Sequence, residues 1–195
     1  MPRPRVTEAD AVVDAAARRL ASDGIGGTTV DDVAAEAGVS RATVYRYIGG
    51  KNQLVPAVIG REAEEVLVRL VEVIASSTTA DRAIADVVST ALEVIDDSPV
   101  LARLTSTDLR ESLPFITIDS RRLVDGVVST VSDAIRAAPD LAVDERAVDE
   151  AVEEATRFVL SQLTTPRRGG SRLSPRDAGA RAAALIAPML EPVET

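Results

Sequence analysis

The chain has 195 residues, 46% hydrophobic and 2% aromatic, with a formal net charge of −9 at pH 7, so a folded core of Val, Leu, Ile and Ala is expected in one or two domains. It holds no cysteine and no histidine, which excludes disulfides, thiolate metal sites, the usual general base and the commonest transition-metal ligand. No run of about 18 apolar residues exists and no charged-then-apolar leader opens the chain, so a cytoplasmic protein with no membrane partner is expected.

Taken in order, the pattern predicts an all-α chain. Thr7 caps a first helix, with Asp10 three residues on. Val12, Val13, Ala16, Ala17 and Leu20 line its buried face, and Gly24, Gly26 and Gly27 end it. Thr29 and Asp32 form a second capping-box pattern. Val30, Val33, Ala34 and Ala37 then fall at i, i+3, i+4 and i+7, one face of a helix. Gly38 sits where the chain must turn, Val39 plugs the turn, and Ser40 caps a third helix whose Val44 and Ile48 point inward. A long helix spans about 51–75, roughly 37 Å at 1.5 Å per residue. Leu54, Val55, Val58, Ile59, Val66, Leu67, Leu70, Val71 and Ile74 face inward, and Pro56 lies in its first turns. Further helices are predicted at about 81–97, 99–109, 119–138, 144–164 and 175–190, punctuated by Pro99, Pro114, Pro139, Pro166 and Pro175.

Residues 29–51 have the plan of a helix-turn-helix, whose second helix enters the major groove of DNA. An ordinary helical hairpin with a polar outer face shares that plan. Charge favours nucleic acid: the chain has 31 acidic residues, yet none lies between Glu36 and Glu62. Residues 1–61 carry a net charge of +1 and the remainder −10. The acidic part is repelled from a duplex, which favours one docking orientation, and a near-neutral head implies modest non-specific affinity.

The run Val30-x-x-Val-Ala-x-x-Ala-Gly-Val-Ser-Arg-x-Thr-Val-Tyr-Arg-Tyr-Ile-x-x-Lys51 resembles the signature of the tetracycline-repressor-like (TetR) family, with the close match over about residues 7 to 55. Many members have His-Phe where this chain has Tyr47-Ile48. Ile48 still fills a core position, and Tyr47 keeps a hydroxyl that can donate to a phosphate. The resemblance implies a three-helix DNA-binding domain over residues 1–50 and a helical ligand-binding and dimerisation domain over 51–195. It also implies an inducible repressor that binds a palindromic double-stranded operator as a homodimer, paired through its last two helices. Their broad faces (Ala147, Val148, Ala151, Val152, Ala155, Phe158, Val159 and Leu163; Ala178, Ala182, Ala183, Leu185, Ile186, Met189 and Leu190) suit either that interface or closure of the domain core.

Arg41 and Thr43 project from the first turn of the recognition helix and are the expected base readers, with Ala42 beside them and Tyr45 at the groove floor. Thr29, Ser40, Tyr47 and Lys51 suit phosphates, and Arg46 suits either role. The effector is expected to be a small apolar or amphipathic molecule in a mostly aliphatic pocket within residues 80–165. Phe115 and Phe158 are its aromatic candidates, and Arg122, Arg157 and Gln162 its polar anchors. The long helix is the expected lever between the two regions. Arg167–Arg172 reads as a solvated connector or as a loop reaching a partner or DNA, and Met1–Arg5 as a disordered end or an arm on DNA.

Other classes fit less well. An enzyme would rest on carboxylates, serine or the single lysine, and no nucleophile-elbow, P-loop or dinucleotide fingerprint appears. Asp96-Asp97 and Glu153-Glu154 read as solvated helix faces, and no cofactor is expected. The alternatives are a helical protein-interaction module or a regulator without a small-molecule inducer.

Overall fold

The computed structural model describes residues 7–118, 120–165, 167–168 and 170–191; the candidate N-terminal arm lies outside these. All regular elements among the described residues are helical. They are α1 (Glu8–Gly27), α2 (Val30–Ala37), α3 (Arg41–Tyr47), α4 (Lys51–Ala75), α5 (Ala80–Asp97), α6 (Pro99–Leu104), α7 (Leu109–Ile116), α8 (Arg121–Ala137), α9 (Val148–Thr164), α10 (Pro175–Ile186) and a 3-10 turn, Ala187–Leu190. Among the described residues two compact units form, one within 7–63 and 98–115, the other within 64–97 and 116–191. The first half of α4 thus packs with α1–α3, and the same unit takes in 98–115.

In the first unit, Val12, Ala16 and Leu20 of α1, Val33 of α2, Val44 of α3 and Leu54 and Val58 of α4 are buried. Ala15 is buried where Val13 and Ala17 were expected; those two are half-buried. Helix α1 kinks at Gly24, whose φ of 76° and ψ of 179° suit glycine almost alone. The kink turns the Ile25 N–H onto Asp108 Oδ2, 3.1 Å away, and Arg103 Nε donates to the same oxygen at 3.0 Å. A Cβ on Gly24 would lie 2.6 Å from both side chains. This clasp binds the 98–115 segment to the end of α1. It also explains why the helix predicted at 99–109 stops at Leu104: Asp108 is held in a turn, and α7 starts afresh. Pro114, expected as a breaker, is carried inside α7 as Pro56 is inside α4. Each is the sixth helical residue, so little helix precedes it to be bent.

In the second unit the core joins Leu70 and Ile74 of α4, Ile84, Val88 and Leu92 of α5, Val131 and Ile135 of α8, and the inner faces of α9 and α10. Val71 is an exception to the expected face. It is 37% exposed beside Val68, because the buried stripe follows 66, 67, 70 and 74 and leaves that side of α4 outside. The alanine face of α10 is buried within the chain. A Cβ on Gly179 would come within 2.4 Å of the Ala85 carbonyl oxygen, so α5 and α10 cross almost backbone to backbone. Leu185 falls outside that face and is 55% exposed. Helix α9 starts four residues later than predicted, because the Asp144 N–H donates to the Leu190 carbonyl at 2.9 Å and ties the preceding turn to the chain's last described turn.

Gly179→Ala is expected to destabilise the second unit by about 1–3 kcal/mol, since the added methyl meets backbone that cannot rotate away. Urea unfolding checks this; a midpoint equal to wild type would show that the α5–α10 crossing has room for the methyl.

Candidate nucleic-acid interface

Local chemistry builds residues 29–51 into two helices and a turn. Thr29 Oγ1 accepts from the Asp32 N–H at 3.2 Å, while Asp32 Oδ2 accepts from the Thr29 N–H at 3.0 Å and from its hydroxyl at 2.6 Å. Thr7 and Asp10 repeat this at the start of α1. The Thr29 hydroxyl, the Thr29 N–H and the charge of Arg19 hold the Asp32 carboxyl below its ordinary value. Thr7 and Arg61 do the same for Asp10. Helix α2 ends at Gly38, left-handed at φ 68°, and the Val39 N–H donates to the Ala34 carbonyl at 3.0 Å. Ser40 Oγ then accepts from the Thr43 N–H at 3.2 Å and starts α3. Val44, fully buried, and Ile48 fix which side of α3 faces out.

The outward side of α3 carries Arg41, Ala42, Tyr45, Arg46 and Tyr47, all exposed. Arg41 Nη1 donates to Asp31 Oδ2 at 3.1 Å and Nη2 to the Tyr45 hydroxyl at 3.4 Å; its guanidinium lies 5.6 Å from the Tyr45 ring centre. The Tyr45 hydroxyl, then the Asp31 carboxylate, raise the Arg41 pKa above its ordinary value. Arg46 Nη2 and the Tyr47 hydroxyl both donate to Glu8 Oε2, each at 2.9 Å, and Arg46 stacks 4.6 Å from the Tyr47 ring centre. Thr43 shares a 3.0 Å hydrogen bond with Ser40, and Lys51 Nζ donates to the Gly26 carbonyl at 3.2 Å. All nine residues expected at DNA therefore belong to one compact unit. Sequence reasoning did not pick out Glu8 and Asp31 as neighbours of this helix. Glu8 lies 38 residues from Arg46, and no periodicity links them.

The ligand candidates are less gathered. Helices α8 and α9 line an open cleft of about 950 Å³. Arg157 lines it, but Phe115, Arg122, Phe158 and Gln162 do not. Phe115 ends the first unit, Arg122 points to solvent, and Phe158 packs on the core. Gln162 Oε1 is buried without a hydrogen-bond partner among the described residues. Nor is this cleft mostly aliphatic. Arg136 pairs with Asp149 at 2.9 Å and Arg157 Nε with Glu153 at 3.0 Å on its walls. The Ser132 hydroxyl and Arg136 lower the Asp149 pKa. Arg172, at the end of the basic loop, pairs with Asp96 of α5, which favours the connector reading for that residue. Among the described residues no acidic cluster could hold a metal ion, and no helix is long and apolar enough to cross a membrane.

A helix-turn-helix in the first unit, beside a second unit whose described elements are all helical, is the plan of a DNA-binding protein. Residues 12–58 match the bacterial regulatory proteins of the tetR family, and residues 79–191 match the bacterial tetracyclin repressor C-terminal domain. The chain belongs to the TetR family; it is a DNA-binding transcriptional regulator and not an enzyme. An HTH-type transcriptional regulator of Mycobacterium tuberculosis, itself uncharacterized, is 27% identical over 163 residues, covering 80% of this chain and 73% of that protein. The fold resembles the TetR family repressor AlkX of Dietzia, implicated in biodegradation of n-alkanes, with TM-score 0.77, 20% identity, and coverage of 95% and 96% of the two chains. It also resembles FadR of Bacillus subtilis, solved with stearoyl-CoA, with TM-score 0.59, 19% identity, and coverage of 93% and 98%.

The capping boxes set a pH dependence. Asp10 and Asp32 titrate below the ordinary aspartate value of 3.8 in the folded chain, so both stabilise it above that value. That contribution is lost as pH falls from there through the depressed values. Thermal melting followed by circular dichroism is expected to show the midpoint falling in this window, and falling less in Asp32→Asn. Equal acid dependence in the two proteins would remove Asp32 from the account.

Proposed function

We propose that the chain is a ligand-responsive repressor that binds a palindromic operator as a homodimer and leaves it when a small apolar or amphipathic effector binds. The observation that carries the DNA half is the outward face of α3, where Arg41, Tyr45, Arg46 and Tyr47 stand exposed on a helix whose opposite side is locked by Val44 and Ile48. Arg41 and Thr43 read bases, Tyr45 lies at the groove floor with Ala42 beside it, and Thr29, Ser40, Tyr47 and Lys51 anchor phosphates. Arg46 reaches either. One such head makes few base contacts, and two placed one DNA turn apart combine their binding through effective concentration. The alanine side of α10 is already buried in the chain, so pairing uses the opposite side, around exposed Leu185, together with the outer side of α9.

The effector half rests on likeness. FadR was solved with stearoyl-CoA, and AlkX is implicated in n-alkane biodegradation, so an acyl or alkyl chain is the effector class to try first. Helix α4 gives its first half to one compact unit and its second half to the other, which suits it as the lever. Whatever factor the effector takes from operator affinity, the operator takes from effector affinity.

Selection of duplexes from a random pool is expected to return a palindrome. Arg41→Ala is expected to weaken binding to it by about 1–3 kcal/mol and relax one position in each half-site. Lys51→Ala is expected to weaken all duplexes alike and to reduce the salt slope by about one unit per subunit. A Lys51→Ala protein altered only in sequence preference would reverse these roles. For the effector, n-alkanes, fatty acids and acyl-CoA thioesters are compared by thermal shift and then by operator release. A ligand at a hundred times its Kd stabilises by about 2.7 kcal/mol. Stabilisation without operator release would leave a regulator that binds a ligand but is not induced by it.

A further inference from the structure

The α3 face is less cationic than its sequence. No acid lies between residues 36 and 62, yet both outward arginines of α3 meet a carboxylate brought from another helix. Asp31 comes from α2 and lies 3.1 Å from Arg41; Glu8 comes from the first turn of α1 and lies 2.9 Å from Arg46. Other acids of these two helices have partners elsewhere. Asp10 is held by Thr7 and Arg61, Asp32 by Thr29, and Glu36 by Arg18. The Asp31 and Glu8 pairs are more than half exposed, and pairs of that kind add little to folding.

We propose that Glu8 and Asp31 are specificity-determining residues: they occupy the DNA-reading arginines in the free protein and penalise docking on the wrong duplex. A non-specific phosphate that takes Arg41 or Arg46 replaces one anion by another and leaves the displaced carboxylate facing a polyanion. The exchange then gains little. A correct site adds acceptors that hold the guanidinium bidentately, as guanine O6 and N7 do, and outweighs the repulsion. Discrimination thus comes partly from an element set against the wrong partner. Glu8 acts on two groups at once, because its Oε2 also accepts from the Tyr47 hydroxyl. The inference rests on the reading that α3 is the helix that meets DNA.

Its test compares wild type with Glu8→Gln, Asp31→Asn and the double variant. A charge-matched control carries Asp81→Asn and Glu154→Gln in the other unit. Anisotropy titrations use a random duplex and the selected palindrome over a range of salt. Freeing one cation is expected to tighten random-duplex binding about eightfold at about 0.1 M salt and to steepen the salt slope by about 0.9. Palindrome affinity rises less, so the ratio between the two falls, while the control matches wild type. Random-duplex affinity that stays level or drops, or that rises equally in the control, overturns the proposal. Wild type that binds no duplex overturns the α3 reading itself, a distinct outcome. Asp31→Asn carries the test alone if Glu8→Gln disturbs the start of α1.

Discussion

A helix of seven residues does not hold itself together in water, and α3 is seven residues long. The face proposed to meet DNA therefore depends on α3 being held by its surroundings. Two devices do so. Ser40 and the left-handed Gly38 fix where the helix starts, and the burial of Val44 and Ile48 fixes its rotation. With the rotation set, Arg41, Tyr45 and Arg46 can only point outward. The head is built around that requirement: α1 and α2 each carry a reciprocal cap, and the first half of α4 supplies Leu54 and Val58 to the same unit.

The clasp at Gly24 ties residues 98–115, more than seventy positions away in sequence, to the same unit. It uses one carboxylate for two donors, and it works only because a glycine stands where the donors crowd the backbone. The body follows a different rule. With few aromatic side chains available, its core is assembled from aliphatic and small residues. Alanine and glycine on α10 let it approach α5 until a methyl group would collide with a carbonyl. Close approach stands in for bulk, since dispersion grows steeply as atoms come into contact.

Much was legible in the chain alone. The capping pairs, the turn glycine and the inward valines of 29–51 are local patterns, and each is found where periodicity and cap chemistry put it. The long helix was legible with both ends, and only Val71 of its predicted inward residues lies well exposed, because the stripe is narrower than a list of apolar residues suggests. Helices 99–109 and 144–164 were misjudged at their ends for one reason: Asp108 and Asp144 break them through contacts with Ile25 and Leu190, which are distant in sequence. The effector candidates carry the weakest sequence signal. Phe115, Arg122, Arg157, Phe158 and Gln162 were chosen as unusual residues on helices, and type without neighbours does not say which way a side chain is enclosed.

The sequence by itself determined the all-α fold, the position and register of the helix-turn-helix and the class of protein, because caps, turn glycines and apolar periodicity act over a few residues. Tertiary structure alone decided the charge that α3 presents and the extent of the unit that carries it. It also decided the side of α10 left outside. Those depend on which residues, tens of positions apart, arrive within about 3 Å of one another, at hydrogen-bonding distance, and local pattern carries no record of that.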